Sequence, residues 1–94
     1  MIQSENSPLL MSISNIKSGE YLIVNEQFIR TTGYSNEEAI GKTSVELGLI
    51  DAKTRKKFTK VIKKEDRASG IEMDLIIKSG EKRLVRYFGE VIQF

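Results

Sequence analysis

The sequence predicts an α+β fold: an antiparallel sheet of two hairpins, with short helices and one longer helix between them. Three observations carry this. Apolar runs with period-two alternation lie near both ends, the middle is punctuated by helix caps and glycine stops, and a basic stretch between them holds one helical apolar stripe.

The elements follow in order. Residues 9–16, LLMSISNI, alternate in part and read as a strand; KSGE is a turn, and YLIV at 21–24 reads as a short buried strand completing the first hairpin. Asn25 stands where an N-cap belongs, Glu26 suits the positive end of the helix, and Phe28 and Ile29 give it an apolar face. Thr31, Thr32 and Gly33 end that helix. Ser35 followed by Glu37 and Glu38 has the capping-box pattern, and Gly41 stops the turn it opens. TSVEL at 43–47 reads as one more helical turn. Asp51 caps the long helix, expected over about 52–68, in which Phe58, Val61 and Ile62 form a narrow stripe on a basic cylinder and Ser69-Gly70 is the stop. IEMDLIIK, SGEK and RLVRYFGEVIQF then make the second hairpin.

Composition limits what such a fold can do. The chain of 94 residues is expected to be a single domain over 1–94, with burial only marginally sufficient for stability. It has no cysteine, which removes disulfides, thiol nucleophiles and thiolate metal sites, and no histidine, which removes the commonest metal ligand and near-neutral acid or base. No enzymatic activity and no metal site are therefore expected of this segment. Ser35, Thr43 and Ser44 lack a histidine base and read as caps or pocket groups instead of nucleophiles. No run is long enough to cross a bilayer and the N-terminus lacks a signal pattern, so a cytoplasmic location without membrane contact is expected. Eight basic residues lie between Lys53 and Arg67; with no nucleic-acid motif beside them, they read as a solvated helix face, and no nucleic-acid partner is expected.

SGEYLIVNEQFIRTTGYSNEEAIGK resembles the first half of a PAS domain, and IIKSGEKRLVRYFGEVIQF resembles its second hairpin. The resemblance implies a sensory module whose short helices wall a pocket closed by the sheet. Against the flavin-binding branch, Ser44 takes the place of the reactive cysteine and Thr43 that of the polar residue beside it. Leu75 and Val85 take the places of two flavin-binding asparagines. Photochemical flavin and histidine-ligated haem are accordingly disfavoured, and no cofactor is expected. The same branch implies an ion pair between Glu38 and Lys78, expected across the pocket mouth.

Ile23, Phe28, Thr43, Ser44, Leu47, Phe58, Ile62, Met73, Leu75, Val85 and Tyr87 are the candidate pocket residues; the apolar ones either line a cavity or fill a core. Met73, which is flexible, and Tyr87, whose hydroxyl needs a partner, favour a cavity. If Leu75, Val85, Tyr87 and Val91 face inward, alternation sends Ile76, Leu84, Phe88, Ile92 and Phe94 outward, where a one-sided sheet would be polar. That apolar face implies a partner, and the family resemblance implies a homodimer through it. The family also has a fifth strand after the second hairpin, which this chain lacks; a fragment of a longer signalling protein, with its output domain elsewhere in the parent chain, is expected. The implied function is a sensory and dimerisation module, as in a sensor histidine kinase, that binds a small apolar ligand or a partner and relays this to the output domain. The alternative is an interaction domain with a filled core and no ligand.

Overall fold

The computed structural model describes residues 8–92. Strands β1 (Leu9–Asn15) and β2 (Tyr21–Val24) form the first hairpin, and β3 (Arg67–Ile76) and β4 (Lys82–Ile92) the second. Each hairpin is antiparallel, but they meet through β1 and β4, which run parallel, in the order β2-β1-β4-β3. The sheet is thus mixed, where an antiparallel one was expected. Parallel neighbours need a long crossover, and the segment between β1 and β4 supplies it without leaving any trace in local alternation.

Three helices bridge the hairpins: α1 (Glu26–Thr32), α2 (Asn36–Ala39) and α3 (Ala52–Glu65). Asn25 does more than cap α1. Its Oδ1 accepts from the N–H groups of Phe28 and Met11, each at 3.0 Å, and its amide donates to the Leu9 carbonyl at 3.2 Å. One side chain therefore closes a helix end and fastens it to β1. Asn25→Ala is expected to destabilise the fold by about 2 kcal/mol, the upper end of the N-cap range, because the strand bonds are lost with the cap. Asn25→Asp, which keeps the acceptor and loses the donor, should cost less; urea denaturation of both variants checks the ranking.

At α2 the capping box is complete. Ser35 Oγ accepts from the Glu38 N–H at 3.1 Å and Glu38 Oε1 accepts from the Ser35 N–H at 2.9 Å. Residues 43–47 begin with the same reciprocal pair: Thr43 Oγ1 accepts from the Glu46 N–H at 3.0 Å and Glu46 Oε1 from the Thr43 N–H at 2.9 Å. The turn closes at once, since the N–H groups of Gly48 and Leu49 bond back to Val45 and Ser44, and no regular helix follows.

Helix α3 begins on Asp51, whose Oδ1 accepts from the Thr54 N–H at 2.7 Å, but it ends before residue 68. Asp66 turns the chain at φ 66°, a left-handed conformation that aspartate tolerates, and β3 starts at Arg67. Ser69-Gly70 is therefore no helix stop. It lies inside β3, where the register shifts between Ala68 and Ile71, and Gly70 at φ 66° provides the bulge. The helices pack on one face of the sheet against a core that includes Leu10, Val24, Phe28, Leu49, Leu75 and Val85.

Candidate functional site

Period two along β4 turns Val85, Tyr87 and Gly89 toward the helices, while β1 contributes Leu10 and Ser12 and β2 contributes Tyr21. Opposite them, Arg55, Phe58 and Ile62 stand at i, i+3 and i+7 on one stripe of α3. Between these elements lies a cavity of about 30 Å³, lined also by Ser44, Ile50, Met73 and Leu75. That is room for about two water molecules.

One side of this cavity is polar. The Ser12 and Tyr87 hydroxyls are hydrogen-bonded to each other. Arg55 donates from Nη1 to Ser44 Oγ at 3.0 Å and from Nε to Thr59 Oγ1 at 3.2 Å. Arg55 Nη2 lies where a Cβ on Gly19 would stand, so the bare backbone of the β1–β2 turn leaves room for the guanidinium. Burial holds the Tyr21 hydroxyl well above its ordinary value, with Tyr87 pushing the same way and Arg55 and Ser44 opposing. Burial likewise raises Tyr87, against the opposing effects of Ser12, Tyr21 and Arg55. Both phenols keep their protons at neutral pH and remain donors.

Of the expected pocket residues, the structure brings Ser44, Phe58, Ile62, Met73, Leu75 and Tyr87 together around the cavity. The other five do not line it. Phe28 and Val85 are fully buried and solidly packed, Phe28 edge-on to Tyr21 with ring centroids 5.1 Å apart. Leu47 packs against the core and accepts from the Tyr34 hydroxyl at 2.7 Å, and Thr43 is engaged by Glu46. Ile23 is 58% exposed on the opposite face, because a bulge in the β1–β2 register leaves Leu22 unpaired and reverses the alternation between Tyr21 and Ile23. Sequence reasoning missed Ser12, Tyr21, Ile50 and Arg55. The helical spacing of Arg55 with Phe58 and Ile62 was the signal that could have found it; Val61, expected on the stripe, is exposed.

The outer face of the sheet carries the larger concavity. Met11 pairs with Phe88 across β1 and β4, and Ile13 with Ile23 across β1 and β2. These four side chains line a groove of about 350 Å³ bordered by Asn25, Arg67 and Glu90. Met11 and Leu84 are about half exposed (52% and 50%), and Ile76 and Ile92 are exposed too. Phe94 lies outside the described residues.

Lys78 Nζ donates to Glu38 Oε2 at 2.7 Å, joining the β3–β4 turn to α2. Neither residue lines the cavity, so the pair does not stand across its mouth as expected. The Lys78 N–H bonds to the Thr32 carbonyl and its ammonium lies 5.6 Å from the Tyr34 ring centre, so this contact buttresses the short helices. The Lys78 ammonium, then the Ser35 backbone N–H, hold the Glu38 carboxyl below its ordinary value of 4.5. A depressed folded-state pKa gives stability that is present above the ordinary value and lost as pH falls through the folded one. The melting-temperature gap between wild type and Glu38→Gln should therefore be constant above pH 4.5 and close below it.

Among the described residues no helix is long and apolar enough to cross a membrane, and no group of three or more His, Cys, Asp or Glu could hold a metal ion. A family model described as the PAS fold matches residues 1–90. No curated protein and no solved structure gave a significant match.

Proposed function

The chain belongs to the PAS family, whose members are sensory or signalling modules, and from that premise we propose that it works as the cytoplasmic sensory and dimerisation segment of a signalling protein such as a sensor histidine kinase. Two copies associate through the outer sheet face, and a change in the interior biases the arrangement of the pair and hence an output domain. The observation that supports this is the apolar groove of Met11, Ile13, Ile23 and Phe88 on the solvent side of the sheet, with Leu84 exposed farther along β4. Solvated sheet faces are ordinarily polar. An isologous contact between two such faces would bury it.

Native mass spectrometry of the untreated protein tests the reading in one spectrum. A dimer supports it, and a monomer at all concentrations overturns it. The cavity of about 30 Å³ favours a very small ligand.

A further inference from the structure

Arg55 is half-buried beside the interior cavity, and its two hydrogen bonds go to the neutral hydroxyls of Ser44 and Thr59. Among the described residues it has no carboxylate within ion-pairing distance. A partly desolvated cation without a counter-charge is unusual, because burying a charge is costly unless it is paired. The guanidinium is also held in place, between Ser44 on one side and the bare Gly19 backbone on the other. Around it the hydroxyls of Ser12, Tyr21 and Tyr87 turn inward with Ser44.

We propose that Arg55, with the hydroxyls of Ser44, Tyr21 and Tyr87, anchors a binding site for a short-chain monocarboxylate. This rests on the sensory reading and names the class of molecule sensed. A planar guanidinium matches a carboxylate with parallel hydrogen bonds, and hydroxyls satisfy the remaining lone pairs. The rest of the lining is largely apolar, with Ile50, Phe58 and Met73, which suits an alkyl chain and not an anion that is polar on every side, such as phosphate. The space is about that of two waters, so a carboxylate with its short chain enters only as the lining yields, and Met73 is the flexible, unbranched side chain of that lining. Glu90 is the one carboxylate on the lining; alternation turns its side chain to the outer face with Phe88, away from Arg55.

Titration of the full chain with sodium propionate, followed by amide chemical shifts, tests the site. The expected result is saturable change at the amides of Tyr21, Ser44 and Tyr87, with no comparable change from propionamide or sodium chloride. Arg55→Gln should weaken binding at least tenfold, and Arg55→Lys, which keeps the charge and loses the fork, should weaken it by less. Equal responses to propionate and propionamide, unchanged affinity in Arg55→Gln, or shifts confined to the exposed lysines of α3 would each overturn the proposal. Sedimentation of the same samples keeps the two readings apart. A dimer that ignores propionate overturns the site alone, and a monomer that binds it overturns the assembly alone.

Discussion

Phe88→Asp is expected to split the proposed dimer, raising its dissociation constant roughly a hundredfold or more while leaving the fold intact. Phe88 lies on the outer face opposite Met11, beside the Gly70 bulge, and lines the groove. In a monomer the substituted side chain would be partly solvated, so folding should change little. In a face-to-face dimer the new carboxylate would be desolvated at up to about 3–5 kcal/mol, offset in part by Arg67 and Arg86 on the same face, with each 1.4 kcal/mol worth a factor of ten. Sedimentation velocity over a dilution series measures this directly. Lys56→Asp, on the exposed side of α3, serves as the charge control and should leave association unchanged.

The largest effect on stability is expected at Phe28. Its side chain is fully buried, packs edge-on against Tyr21 and belongs to the central cluster. Phe28→Ala should cost about 3–5 kcal/mol through lost transfer energy and the void left behind. Small domains have only about 5–15 kcal/mol in total, so the variant should unfold at far lower denaturant concentration. A loss below about 1 kcal/mol would mean that Phe28 borders open space and that the interior is less filled than the structure shows.

Much of the fold was legible because its local signals are short-range. Asn25, Ser35 and Asp51 each stand where the structure places an N-cap, and Gly33 ends α1 in the left-handed conformation. The features that escaped are those in which distant segments meet, or in which a residue has two uses. Nothing local announces that β1 and β4 lie side by side and parallel. Ser69-Gly70 has the composition of a helix stop and serves as a strand bulge, while Asp66 does the stopping. Ile23 was read as part of a short buried run, whereas the bulge at Leu22 turns it to the outer face while Tyr21 points inward.

The candidate site divides in the same way. Its apolar half, Phe58, Ile62, Met73 and Leu75, followed from alternation and helical spacing. Of its polar half, only Ser44 and Tyr87 were expected. Arg55 is one of eight basic residues from Lys53 to Arg67, and composition gives no reason to separate it from the solvated ones. Tyr21 was read only as part of a short strand, so its hydroxyl was never considered; Ser12, also in a strand, escaped for the same reason.

Because the chain has no cysteine, a single spin label can be introduced anywhere. The most direct test of assembly through the outer face is the label-to-label distance from Arg86→Cys, in the middle of that face, compared with Lys56→Cys on α3. Face-to-face association predicts strong dipolar coupling at Arg86, short enough to broaden the spectrum, and weak or long-range coupling at Lys56. The reverse order, or no coupling at either position in a confirmed dimer, would contradict the account.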